Sequence, residues 1–116
     1  MVLIQSPLQS KYGAIGIDPS GKIVTFPYGK SKGGEFTTGF FSGMHIFSRK
    51  IFDLMPPQVV FDINKDVYPT LIEKDSGAYG YITDARWIDA GEIELYEKAQ
   101  KELKANPLTW MQKPSS

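Results

Sequence analysis

Apolar residues in this chain come in short clusters, and each cluster carries its own period. Val2-Leu3-Ile4 is an apolar run with nothing in front of it, read as a buried strand that begins almost at Met1. Tyr12 to Ile17 and Ile23 to Phe26 are rich in aromatic and β-branched residues. Between them, Asp18-Pro19-Ser20-Gly21 places Asp, Pro and Gly at the first, second and fourth positions of a type I turn, which predicts a β-hairpin. Gly29 to Gly34 has no period and reads as a surface loop. Phe40 to Phe47 alternates into two apolar faces, the pattern of a strand buried on both sides.

The second half of the chain changes to helical spacing. Ser48 is suited to cap a short helix carrying Ile51, Leu54 and Met55, which Pro56-Pro57 ends. Asp62 is suited to cap another, with Ile63, Val67 and Leu71 four residues apart and Pro69 dividing it near Tyr68. Tyr79 to Thr83 and Trp87-Ile88 read as short strands. Glu92 to Lys104 reads as a helix with the stripe Ile93, Tyr96, Ala99 and Leu103, and with Glu94–Lys98 and Glu97–Lys101 at favourable spacing. The predicted class is α/β, a mixed β-sheet with flanking helices over residues 1–104. Residues 105–116 follow as an irregular tail, with Trp110 as its anchor.

With 116 residues the chain has room for one domain. Thirteen basic and thirteen acidic side chains cancel, so no net field draws it to nucleic acid or to an anionic membrane. No cysteine is present, which excludes disulfides, thiolate metal sites and a cysteine nucleophile. One histidine, His45, excludes any site that needs two imidazoles, and its place among phenylalanines favours a packed ring over a catalytic one. No apolar run reaches the roughly 18–20 residues of a membrane span, and no signal-peptide pattern opens the chain. A soluble, cytoplasmic protein is expected. Gly29-Lys30-Ser31 has the ending of a phosphate-binding loop, but position 24 is Val24 where that motif requires glycine, and the flanking strand and helix are missing.

Asp89 has two readings. With Glu92 it has the spacing of a capping box at the start of the last helix. It also follows a strand-like Trp87-Ile88, the place where α/β sheets hold ligands, so it is a candidate Mg²⁺ ligand.

The order of segments resembles the C-terminal half of sugar-phosphate nucleotidyltransferases. The residues that carry the resemblance are Tyr12-Gly13, Asp18 to Ile23, Ser42 to Ser48, Phe61 to Leu71, and Trp87-Ile88-Asp89-Ala90-Gly91 followed by Tyr96 and Ala99. The family's Glu-Lys-Pro has no match at Pro27 to Lys30, and the Thr that usually follows Trp-Ile-Asp-x-Gly is Glu92. The resemblance implies a partial nucleotidyltransferase domain that joins a sugar 1-phosphate to a nucleoside triphosphate with release of pyrophosphate. It implies Gly13, Phe41, Ser42 and Gly43 against the sugar and Asp89 as one of two carboxylates on Mg²⁺. The implied ligands are a sugar 1-phosphate or a nucleotide sugar. The nucleotide-binding N-terminal half has no counterpart here, so the expectation is a truncated domain, inactive without a complementary chain. The alternative is a non-catalytic interaction or oligomerisation module built on the same half-fold. Either way an exposed strand edge and self-association are expected.

Overall fold

The computed structural model describes residues 1–29, 31–57, 60–75 and 77–111, the last stretch without the Trp110 side chain. Three of the sequence-based expectations fall outside them: the part of Lys30 in the surface loop, Trp110 as the anchor of the tail, and the tail beyond Met111. The chain divides into two compact units, Met1–Ala85 and Arg86–Ser116.

The first unit is a five-stranded sheet. Its strands are β1 (Val2–Ile4), β2 (Ile15–Ile17), β3 (Ile23–Thr25), β4 (Thr37–Phe41) and β5 (Tyr81–Thr83), in the spatial order β3-β2-β4-β1-β5. Pairing is antiparallel except between β1 and β5, where Leu3 lies level with Ile82 in a parallel ladder. The sheet is therefore mixed, as the pattern of strands and helices predicts. The hairpin forms because Asp18 organises its turn. The Asp18 carboxylate accepts from the Ser20 and Lys22 backbone N–H groups at 2.9 and 3.0 Å, and Gly21 N–H donates to the Asp18 carbonyl at 2.9 Å. Leu3, Ile15, Ile23, Phe26, Tyr68 and Ile72 make the core beneath the sheet.

Three expectations need correction. Tyr12 does not begin a strand. It closes a single helical turn, α1 (Gln9–Tyr12), in which the Ser10 hydroxyl bonds the Pro7 carbonyl, and Gly13 ends it at φ +87°. The Phe40–Phe47 strand is displaced: β4 runs over Thr37–Phe41, and the chain leaves the ladder where Gly43 takes φ +92°. Met44 and Ile46, expected to be buried, are 58% and 97% exposed. Trp87-Ile88 joins no strand among the described residues.

The helical expectations fare better. Ser48 caps a 3₁₀ turn, Arg49–Leu54, and its side chain accepts from Lys50 N–H. Asp62 accepts from Asn64 and Lys65 N–H groups and opens a widened π-helical turn, Ile63–Val67. The chain then tightens into α2 (Tyr68–Glu73). Pro69 has no N–H for the carbonyl of Lys65, so the division at Tyr68 follows from its chemistry.

In the second unit, α3 spans Ile93–Ala105. Its covered line is Leu95, Ala99 and Leu103, while Ile93 and Tyr96 are exposed. Neither expected Glu–Lys pair is among its ion pairs. Arg86 instead bonds Glu102 at 3.0 Å and the Asn106 carbonyl at 2.7 Å, which satisfies an acceptor at the helix C-terminus.

Candidate functional site

β4 delivers Phe41, Ser42 and Gly43 to the end of the sheet beside β1. Ser42 is held twice by Val2, whose carbonyl accepts from the Ser42 backbone N–H at 3.1 Å and from its hydroxyl at 2.9 Å. The same hydroxyl accepts from Met44 N–H at 3.2 Å, so its work is to turn the chain. Gly43 follows with an exposed backbone; a Cβ there would touch nothing within 4 Å, but its positive φ disfavours any side chain. Exposed backbone of this kind can approach a polar ligand closely.

Phe41 is half-buried in an aromatic cluster. Its ring centroid lies 5.4 Å from that of His45 and 6.3 Å from that of Tyr68. His45 packs on Phe47 at 4.2 Å, and its Nδ1 lies 3.0 Å from the Tyr68 hydroxyl. Burial pushes the Tyr68 phenol up to about 12, so it stays protonated. Burial, and then the charge of the amino terminus, push the His45 imidazole below its ordinary value. With both groups neutral they share one hydrogen bond, whose donor is set by the imidazole tautomer. The packed role expected for His45 matches its surroundings. Tyr68 was legible in the sequence only as the place where a helix divides, although a tyrosine at a buried helical position needs a partner for its hydroxyl.

Gly13 lies where α1 passes into β2, and the neighbouring Tyr12 ring sits 5.1 Å from that of Phe40. A Cβ on Gly13 would come within 2.8 Å of the Pro27 ring, so glycine is required there by packing and by φ alike. The first unit thus brings Gly13 to the β2–β4 side of the sheet and Phe41–Gly43 to the end of β4.

Asp89 belongs to the second unit. Its Oδ1 accepts from Gly91 N–H at 2.9 Å, which is a turn two residues on and not a cap. The cap position of α3 is Glu92, which makes no side-chain cap bond, so the capping-box reading is corrected. Among the described residues no three His, Asp or Glu side chains gather as a metal-binding cluster. Mg²⁺ is held by one or two carboxylates with substrate phosphates completing its shell. Asp89, oriented by Gly91, fits as a single ligand; these residues alone form no cation cage.

No helix among the described residues is long and apolar enough to cross a membrane. Residues 1–106 match the family model described as nucleotidyl transferase. Similar curated proteins include a UTP–glucose-1-phosphate uridylyltransferase of Synechocystis, 28% identical over 96 residues that cover 83% of this chain and 25% of that protein. A glucose-1-phosphate adenylyltransferase of Desulfitobacterium hafniense is 28% identical over 98 residues, 81% of this chain and 25% of its own length. The chain therefore spans about a quarter of the curated relatives it matches.

Proposed function

Because this chain belongs to the nucleotidyl transferase family, we propose that it supplies the sugar-phosphate side of a sugar-1-phosphate nucleotidyltransferase. On this reading, activity depends on a nucleotide-binding part beyond these residues. The observation that carries it is the family match over residues 1–106, beside the similarity to relatives whose names specify glucose 1-phosphate.

In the proposed reaction, a phosphate oxygen of the sugar phosphate bonds to the α-phosphorus of the nucleoside triphosphate while the bond to pyrophosphate breaks. The nucleophile is already an anion, so holding it in line matters more than removing a proton. Gly13 and Gly43 offer backbone to the sugar, the Phe41 ring offers a wall, and Ser42 fixes the path of the chain between them. Asp89 would be one ligand of Mg²⁺, which when bound neutralises phosphate charge. A cytoplasmic location and a complementary chain belong to the same reading.

Two measurements test it. Glucose 1-phosphate titrated into the isotope-labelled chain should shift the amide signals of Gly13 and Phe41 to Gly43. Pyrophosphate release with UTP should then appear only after the nucleotide-binding segment of the Synechocystis relative is added. Robust release by the chain alone would overturn the dependence on a second part. Unmoved amides would remove the sugar-side assignment and leave the interaction module, which the exposed Met44, Ile46, Phe52 and Val60 favour.

A further inference from the structure

The first unit holds a cavity of about 380 Å³, and none of Gly13, Phe41, Ser42 or Gly43 is among its walls. The 3₁₀ turn after Ser48 builds much of it. Residues three apart stack in such a turn, so Ser48, Ile51 and Leu54 form one column and Lys50 and Asp53 another; all five line the cavity. Ile51 is buried and Leu54 half-buried, whereas Lys50 and Asp53 are exposed. Leu71 and the ring of Tyr68 add apolar wall from α2. The Tyr68 hydroxyl is already committed to His45, so that wall offers a face and not a free polar group.

The cavity therefore grades from an apolar floor to an edge that carries the side-chain charges of Lys50 and Asp53. Among the described residues neither Lys50 nor Asp53 has an ion-pair partner. Met1 also lines the cavity; its ammonium gives one N–H to the Tyr79 carbonyl at 2.7 Å and adds positive charge that favours a carboxylate there. A sugar phosphate or nucleotide matches this edge poorly, since it brings negative charge without a positive group for Asp53. A ligand that matches all of it has an apolar body with a carboxylate and an ammonium on neighbouring atoms.

We propose that this cavity binds a free α-amino acid with a large apolar side chain, its carboxylate toward Lys50 and its ammonium toward Asp53. The volume lies at the small end of the roughly 300–1,000 Å³ of small-molecule sites, the size for one such molecule. The site is independent of the sugar-phosphate reading and is assayed by binding alone.

Phenylalanine, phenylacetate and phenethylamine, titrated separately into the chain by calorimetry, supply the zwitterion, the anion and the cation on one ring. Phenylalanine should bind saturably at one site, and each single-charge analogue about tenfold more weakly, the scale of one lost charged hydrogen bond. Lys50→Glu should weaken phenylalanine and phenylacetate and spare phenethylamine; Asp53→Lys should do the reverse for the two analogues. Methyl signals of Ile51, Leu54 and Leu71 should shift with phenylalanine. No saturable binding of phenylalanine, or equal affinity for all three compounds, overturns the proposal. Should either variant fail to melt cooperatively, the three titrations on the unaltered chain decide it.

Discussion

His45 stays neutral because both of its surroundings, the buried aromatic cluster and the positive amino terminus, penalise its charged form. Its pKa is lower folded than unfolded, so the unfolded chain takes up the proton first as pH falls. Its contribution to stability is complete above the unfolded value of about 6.5 and declines below it, down to the folded value. Denaturant melts between pH 7 and 5 should show this decline, and His45→Gln, which keeps an acceptor and does not titrate, should flatten it. Asp18 and Asp75 are shifted down by the Ser20 hydroxyl and by Lys22 respectively, so their losses come in a separate window below pH about 4. Asp89 makes a different forecast now that its turn is known. Asp89→Asn keeps the acceptor for Gly91 N–H and should lower the melting point less than Asp89→Ala, whose loss of that bond should cost about 0.5–1.5 kcal/mol. In the chain combined with the nucleotide-binding segment, Asp89→Asn should abolish pyrophosphate release; an unchanged rate would end the metal proposal. The cap reading failed on a local competition that spacing alone does not reveal. The carboxylate bonds two residues ahead instead of three, and the helix starts later.

Side chains with strong local rules were legible element by element. Asp18 and Gly21 fix the β2–β3 hairpin, Ser48 and Asp62 open their turns, and Pro69 divides the helix that Ile63, Val67 and Leu71 outline. β4 was misplaced because alternation was followed past Gly43, while the true start, Thr37-Thr38-Gly39, has little apolar signal. Gly39 in fact lies against the Ile4 carbonyl, where a Cβ would come within 3.0 Å. Gly80, just ahead of β5, is tighter in its packing: a Cβ would sit 2.7 Å from the Ile17 side chain and 2.9 Å from that of Leu3. Gly80→Ala should therefore destabilise the first unit by about 1–3 kcal/mol, read as a lowered urea midpoint with an unchanged slope. An unaffected midpoint would mean that β5 packs more loosely than this.

For the molecule as a whole, the mixed sheet could be anticipated, but its order could not, because β1 pairs with partners about 40 and 80 positions away. The outer edge of β3 is partly covered. Lys22 bridges Tyr79, Ile23 N–H donates to the Ala78 carbonyl, and Gly80 N–H donates to the Gly21 carbonyl, both at 2.9 Å. The segment before β5 thus reaches β3 while β5 itself pairs with β1. Amide exchange should show Ile23 and Gly80 protected to the same degree as Tyr81, whose N–H bonds Met1; an Ile23 amide exchanging like a loop would argue against this closure. The placing of β1 in the interior of the sheet also predicts an order of events in folding. The hairpin closes the shortest loop and is expected to pair early, whereas β1 needs β4 and β5, which lie far along the chain. Each doubling of the loop to be closed adds only about 0.6 kcal/mol, so the delay costs little at equilibrium and is felt in the rate. Until Tyr81 to Thr83 arrive, Val2, Leu3 and Ile4 remain a sticky, half-satisfied strand, and it is in this interval of refolding that the chain is most exposed to capture by another copy of itself.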